Sequence, residues 1–480
     1  MVNFLLRTDS YKLTHWRQYP PDAEMVYSYL ESRGGDYDET VFFGLQYYLK
    51  KYLEGSVITA SMIDEAEALS EQHFGQNLFN RKGWEHILQV HEGRLPIEIY
   101  AVSEGTVVPT NNVLMTVQNT DPKVPWLTNY VESLLLKVWY PITVATLSRE
   151  VKKTIKYFLN LTGDLSQLPF KLHDFGYRGV SSEESACIGG AAHLVNFKGT
   201  DTLMALNLLK DYYAPETLSG FSVPASEHST MTSWGQDYEA DAFSNMLEQY
   251  PTGLVSVVSD SYDIFNACEH LWGEELHDRV LARDGILVIR PDSGDPASTI
   301  LRLLDILKAK FGATENAKHF LELNPKVRLI QGDGVNPASI SRILDTMRWR
   351  GWSANNIVFG MGGGLLQQVN RDTQRFAFKC SAILRGGQWQ DVYKTATGKE
   401  SKRGKLVLLR RPEAQRMFEI GMIDKEPTED YITRSTMVKS VHEGMSYDIS
   451  NYNELKLRFR NGQIHNALPL EEIRLRAEVK

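Results

Sequence analysis

The sequence predicts an α/β protein built on a closed or nearly closed parallel barrel. From about residue 170, apolar strand-like runs alternate with amphipathic helical runs, the pattern of parallel strands joined by right-handed crossovers. About seven such units fit into that stretch, which suits a ring of strands better than two sandwiches. Each strand-like run ends in a polar loop rich in Asp, Arg, His and Gly. An open doubly wound sheet is the alternative, and in both architectures the loops after the strands form the functional face.

The elements follow in order. LPIEIYAVSEGTVVPTNNVLMTVQNT (95–120) reads as strands and turns, WLTNYVESLLLKVWYP (126–141) as an apolar helix, and EVKKTIKYFLNLTG (150–163) as an amphipathic helix stopped by Gly163. The barrel strand candidates are FKLHDFGYRG, GTDTLMAL, SGFSVPASE, GLVSVVSDS, GILVIRPDSGD, KVRLIQGDGV and NNIVFGMGGG. Ser181 and Glu184 form an expected capping box ahead of a stripe of Ile188, Ala191, Ala192 and Val195. Asp295 caps a helix that opens with Pro296, lines one face with Ile300, Leu303, Leu304, Leu307 and Phe311, and closes at Gly312. Asn336, Pro337, the stripe Ile340, Ile343, Leu344 and Met347, and Gly351 repeat that design. After 380 come short strands and turns, including the basic QDVYKTATGKESKRGKLVLLRR, which reads as a solvated hairpin or a phosphate-facing loop. The expected division is 1–165, 166–379 and 380–480, with the middle segment forming the barrel.

Composition bounds the partners. The 480 residues carry 52 Lys plus Arg against 60 Asp plus Glu, a net charge of -8, so no bulk basic surface is offered to nucleic acid or anionic lipid. An anionic substrate must be held by a local cluster. Cys187, Cys268 and Cys380 are far apart and odd in number, with neither a disulfide framework nor metal-ligand spacing. The apolar run of the opening MVNFLLRTDSYK is interrupted by Arg7 and Asp9, so no signal sequence is expected there, and no run approaches the roughly 20 apolar residues of a membrane span. The expectation is a cytoplasmic protein with no membrane and no nucleic-acid partner.

The chemistry sits at the ends of the strand candidates. GMGGG (360–364) lets backbone N–H groups approach phosphate closely, or makes a tight turn; Leu365 breaks the dinucleotide fingerprint and no GxxxxGK[ST] occurs. Arg371, Arg375 and Lys379 just downstream favour phosphate. Asp260, Asp292 and Asp333 end successive strands, where carboxylates suit sugar hydroxyls or a magnesium ion carrying phosphates. Arg290 is placed to pair with Asp292. His228 follows another strand, where Asp260 could hold its tautomer. Ser222, Ser226 and Ser229 lack a GxSxG setting, which speaks against a serine hydrolase. Phe175 and Arg178 put an aromatic face and a cation on one loop, for stacking a heterocycle or for core packing.

Eight ordered motifs, DSYKLTHWRQYPP (9–21), HDFGYRGVSS (173–182), KGTDT (198–202), SVPASEHST (222–230), VVSDSYD (257–263), IRPDSGDP (289–296), QGDGV (331–335) and GMGGG (360–364), closely resemble those of the nicotinamide phosphoribosyltransferases. The resemblance implies a type II phosphoribosyltransferase fold: an irregular α/β barrel with a second, β-rich domain built from both chain ends. It implies transfer of phosphoribose from phosphoribosyl pyrophosphate (PRPP) to nicotinamide, and a homodimer with active sites at the interface. Phe175 resembles the ring stacked on nicotinamide, with Tyr11 of the partner subunit on the other face. Asp201 resembles the acceptor for the carboxamide N–H, Arg290 the residue beside base and ribose, and Asp292 a ribose acceptor. Gly332, Asp333, Gly362 and Gly363 would line the ribose and 5′-phosphate. Arg371, Lys379, Lys394 and Lys402 resemble the phosphate holders, and Arg33 and Arg178 the pyrophosphate contacts. His228 matches the histidine that ATP phosphorylates, oriented by Asp260, and Mg2+ is implied with the pyrophosphate. His228, Asp260 and Asp292 form the implied catalytic set, with no metal ligands assigned. Ala377 stands where a serine is expected, and Met361 where a smaller polar residue is usual. The rival readings are a nicotinate-using enzyme of the same fold, an interaction protein without turnover, and a barrel isomerase or aldolase, which would need a lysine at a strand end.

Overall fold

The computed structural model describes residues 3–395, 401–419, 423, 426–435, 441–442, 445–446 and 449–479. The chain divides into two compact units, one of Met1–Thr146, Lys210–Glu216 and Asn370–Ala477, the other of Leu147–Leu209, Thr217–Val369 and Glu478–Lys480.

The first unit is built on a seven-stranded sheet in the order Gln388–Asp391, Phe376–Arg385, Ala23–Ser32, Val113–Asn119, Ile97–Ala101, Lys456–Arg460, Gln463–Ile464. Every pairing is antiparallel, and strands from both chain ends interleave. Along Phe376–Arg385 the side-chain period of two buries Phe376 and Phe378 and turns Ala377 and Lys379 to the other face. Register sets Glu31 opposite Ala377 and Tyr29 opposite Lys379. Gly35 admits a close backbone approach: a Cβ there would lie 1.9 Å from the Thr373 carbonyl, which accepts the Asp36 N–H at 3.0 Å.

The second unit is a six-stranded parallel sheet in the order Gly199–Thr200, Leu172–Asp174, Ile357–Met361, Val327–Gln331, Asp284–Arg290, Thr252–Val258. The two edge strands are joined through the segment 221–225, by single parallel bridges Gly199↔Phe221 and Ala225↔Ser256. The ring therefore closes irregularly. Outside it, the helix Pro296–Phe311 starts where Asp295 accepts the Ser298 N–H at 3.1 Å and buries Ile300, Leu303, Leu304 and Leu307 completely. Each such side chain contributes about 1.5–3 kcal/mol of burial. The helix Pro337–Trp349 repeats this with an Asn336–Ser339 capping box.

Five expectations need correction. GTDTLMAL is a strand only at Gly199–Thr200; the helix Leu203–Tyr213 takes the rest, because its leucines recur at helical spacing. SGFSVPASE forms isolated bridges rather than a strand, since Pro224 has no N–H for a ladder. The helix cap is Ser182, which accepts the Ser185 N–H at 3.2 Å, because the Ser181 N–H is taken by Gln367 Oε1. The run 126–141 breaks into short turns before a continuous helix Trp139–Thr162, in which Pro141 sits in the first turn, where no N–H is needed. The chain also returns to the first unit at Asn370, so Arg371 and Lys379, expected within the barrel span, stand on the antiparallel unit.

Candidate active site

The barrel's strand ends bring most of the expected residues of this unit into one linked set. Phe175 follows the strand Leu172–Asp174, and its N–H donates to the Met361 carbonyl at 3.0 Å. Its ring lies on the backbone of Gly360, where a Cβ would come within 1.9 Å of the ring edge. The Arg290 guanidinium stands 5.5 Å from the Phe175 ring centroid. Asp292 Oδ1 accepts from Arg290 Nε at 3.1 Å and from a terminal guanidinium nitrogen at 2.9 Å, which fixes that cation in place. Gly332 gives it room: a Cβ there would lie 3.0 Å from Arg290 Nε.

Asp260 connects this pair to His228. Its Oδ2 accepts the Asp292 N–H at 3.0 Å and its Oδ1 faces His228 Nε2 at 3.0 Å. The Asp260 side chain is 4% exposed and that of His228 47%. With Nε2–H donating to Asp260, Nδ1 of His228 is left with its lone pair on an exposed ring. Asp201 ends the neighbouring strand. It is exposed and accepts a hydrogen bond from Ser222 Oγ, while its N–H donates to the Asp174 carbonyl at 3.0 Å. Gly362 and Gly363 border the Phe175 loop, since a Cβ on Gly362 would lie 3.3 Å from the Phe175 carbonyl and one on Gly179 3.4 Å from Gly363 N. Nothing lies within 4 Å of a Cβ placed on Gly363, so a ligand can approach the backbone there. Arg178 is exposed on the same loop, and the Asp333 loop is held by Gln331 Nε2 bonding the Asp333 carbonyl at 2.8 Å.

Two residues of this unit escaped sequence reasoning. Asp174 is fully buried; burial pushes its carboxyl up, against hydrogen bonds from the Gly176 N–H at 2.7 Å and Thr200 Oγ1 at 3.3 Å. It ties the Phe175 loop to the Asp201 strand. Its motif, HDFG, held the signal, but a strand-end carboxylate looks the same whether it points in or out. Glu239 opens the helix Glu239–Gln249, and burial, with Asp263 and Asp260 adding like charge, pushes its carboxyl up to about 7. Its Oε1 is buried with no hydrogen-bond partner among the described residues. Nothing local in the sequence marks it.

The first unit carries a separate cation-rich cleft. Arg33, Arg371, Arg375, Lys379 and Lys402 line it with Glu31, Glu132, Asp372 and Ala377. Glu31, 2% exposed, bridges two of the cations, Arg33 at 2.8 Å and Lys402. This carboxylate stands in the largely buried strand Ala23–Ser32. Lys394 is outside the lining; it is exposed, and its backbone N–H is bonded to Ser401 Oγ at 3.0 Å. Tyr11 is 57% exposed on the turn Ser10–Arg17.

The carboxylate oxygens of Asp292 and Asp333 have the hardness a magnesium ion requires, and Asp292 Oδ1 is engaged by Arg290. By donor chemistry these two carboxylates are of the kind that Mg2+ takes.

Known proteins resemble the chain along nearly its whole length. The nicotinate phosphoribosyltransferase (NAPRTase) family profile matches residues 170–421, and the nicotinamide phosphoribosyltransferase N-terminal domain matches residues 3–99. A nicotinamide phosphoribosyltransferase of Xanthomonas campestris pv. campestris is 49% identical over 99% of this chain and 98% of its own. One from Acinetobacter baylyi is 30% identical over 99% of this chain and 97% of its own. Among solved structures, a nicotinate-nucleotide pyrophosphorylase from Pyrococcus furiosus covers 99% of this chain and 95% of its own at TM-score 0.58 and 15% identity. Human nicotinic acid phosphoribosyltransferase covers 98% of this chain and 92% of its own at TM-score 0.54 and 15% identity. At that identity the two structures establish the fold alone, a type II phosphoribosyltransferase barrel with a β-rich unit. Matched along essentially its whole length by curated relatives of one name, the chain belongs to the nicotinamide phosphoribosyltransferase family.

Proposed function

We propose that the chain transfers phosphoribose from PRPP to nicotinamide, giving nicotinamide mononucleotide and pyrophosphate in NAD salvage. The observation that carries this is the exposed Asp201 carboxylate, held by Ser222 at the same strand-end face as the Phe175 ring. A carboxylate accepts a carboxamide N–H. It repels the carboxylate of nicotinate, at a cost on the order of several kcal/mol when desolvated.

The pyridine nitrogen needs no base, because its lone pair is already available. That pair forms the bond to C1 of the ribose while the C1–O bond breaks and its electrons leave with pyrophosphate. Catalysis is then positioning plus charge stabilisation. Phe175 gives the base a flat wall and Arg290 a cationic neighbour, and Tyr11 of the partner subunit closes the slot in a homodimer. Gly332, Gly362, Gly363 and Asp333 border the ribose phosphate. Arg33, Arg371, Lys379, Lys402 and Lys394 hold phosphates, with Arg178 at the pyrophosphate. Magnesium at Asp292 and Asp333 would supply charge neutralisation for the pyrophosphate. His228 Nδ1 takes the terminal phosphoryl group of ATP as its P–O bond breaks and ADP leaves, with Nε2–H kept on Asp260. We assign the reaction to the cytoplasm, which suits Cys187, Cys268 and Cys380, far apart in sequence and odd in number. Among the described residues no helix is long and apolar enough to cross a membrane.

The test is a rate comparison of nicotinamide and nicotinate with PRPP, with and without ATP, in wild type and Asp201→Asn. Nicotinamide is expected to win by at least about a hundredfold in wild type, with the gap shrinking in the variant. Equal use of both bases by wild type would reject the amide assignment.

A further inference from the structure

A second cluster of ligating side chains lies in the first unit and takes no part in the chemistry above. His86 is in the second half of the helix Arg81–Val90, and His91 caps its C-terminus, donating its N–H to the Ile87 carbonyl at 3.1 Å. Asp121 follows the strand Val113–Asn119. Asp121 Oδ2 faces His86 Nε2 and His91 Nε2, each at 2.7 Å. One ligating atom from each residue lies within 4.8 Å of the others. The side chains are 18%, 23% and 13% exposed, and the rings meet at 76° with centroids 5.8 Å apart, so their nitrogens converge rather than stack.

The carboxylate is aimed by its surroundings. Its Oδ1 accepts the Lys123 N–H at 2.8 Å, and the Asp121 carbonyl accepts Asn119 Nδ2 at 2.8 Å. Oδ2 is left to the imidazoles, as an outer set of hydrogen bonds does for a metal ligand. Donor atoms around a tetrahedral zinc ion with bonds of about 2.0–2.2 Å sit about 3.3 Å apart. The two O···N spacings of 2.7 Å need to open by about half an ångström, and the two Nε2 atoms, within 4.8 Å of each other, to settle about 3.3 Å apart, both within the reach of side-chain rotation. Two imidazoles and one carboxylate are the zinc-type donor set, with a fourth position left for water.

We propose that His86, His91 and Asp121 form a site for one divalent transition ion, best suited to Zn2+, which clips the helix Arg81–Val90 to the end of the strand Val113–Asn119. Each imidazole binds through Nε2, with its proton moved to Nδ1, so both rings stay neutral.

The experiment loads the metal-free full-length protein with Zn2+ or Co2+. One equivalent per chain, a visible Co2+ ligand-field spectrum and a zinc-dependent rise in melting temperature are expected in wild type. The paired substitution His86→Gln and His91→Gln keeps N–H donors for Asp121 but removes the imidazoles. It is expected to melt like wild type without zinc, to lose the zinc response, and to weaken zinc binding by at least about a hundredfold. Asp121→Ala is expected to bind no better than that pair, while His319→Ala, a change at an exposed histidine elsewhere, retains wild-type binding. Absence of stoichiometric binding in wild type, or undiminished binding in the glutamine pair, overturns the proposal.

Discussion

The barrel rim and the cleft of the antiparallel unit hold charge in opposite ways. At the rim each group is fixed by the next: Gly360 seats Phe175, Phe175 faces Arg290, Asp292 grips Arg290, and Asp260 ties Asp292 to His228. In the cleft, five cations face three carboxylates, and only Glu31 is deeply buried between two of them. A neutral planar base needs fixed shape, whereas a polyanion needs surplus charge that tolerates movement. Changes at the rim should therefore act through geometry, and changes in the cleft through electrostatics that salt can screen.

The largest effect is expected from Gly360→Ala. The added methyl would lie 1.9 Å from the Phe175 ring, so the ring must leave its seat. With nicotinamide, kcat/KM is expected to fall by about a hundred- to a thousandfold, with the far-UV circular dichroism unchanged. A loss of less than about tenfold would show that the ring is not a wall of the slot.

Next is Glu239→Gln, which probes the rim's like charges. The Glu239 carboxyl is raised to about 7, so ionisation disfavours the folded state. Its favourable contribution is whole below the ordinary glutamate range and is lost as pH rises through about 7. The glutamine variant is expected to gain on wild type by on the order of 1–3 kcal/mol between pH 5 and pH 8, read by denaturant melts at both. An equal difference at the two pH values would mean that Glu239 is not held among uncompensated charge.

These residues also show where the sequence could be read and where it could not. The helices Pro296–Phe311 and Pro337–Trp349 were legible because cap, proline and stripe are local signals. So were the strand-end residues Phe175, Asp260, Arg290 and Asp292, because alternation places them at loops. The segment 221–225 misled, since it closes the ring with isolated bridges and Pro224 denies it a ladder. The assignment of Arg371 and Lys379 to the barrel failed for another reason. They follow its glycine loop in sequence, but they belong to a strand and turn whose pairing partner, Ala23–Ser32, is hundreds of residues away. Glu31 pairs with Arg33 nearby but also with Lys402, hundreds of residues away, and Glu239 owes its raised carboxyl to burial beside Asp260 and Asp263, which no short window of sequence contains.

Lys379→Ala tests the cleft. Its side chain is exposed on the face shared with Ala377 and is expected to act as one point charge among several. The PRPP KM is expected to rise by about tenfold, the nicotinamide KM to move less than about twofold, and the salt dependence of the PRPP KM to flatten. A change in both KM values together would mean that the cleft shapes the base slot as well.

The smallest effect is expected from Ala377→Ser. Ala377 pairs in register with Glu31 and lies two residues from Lys379 on the same face of the strand, so a hydroxyl there would point into the cleft. A net hydrogen bond contributes about 0.5–1.5 kcal/mol, and part of it is spent fixing the hydroxyl, so the PRPP KM is expected to fall by about threefold. The nicotinamide KM should not change, because the rim is untouched. A rise in the PRPP KM would mean that the hydroxyl turns toward Glu31 instead, loosening its grip on Arg33 and Lys402. In that case the alanine preserves the buried clamp, and the cleft would depend on fixed geometry after all, as the rim does.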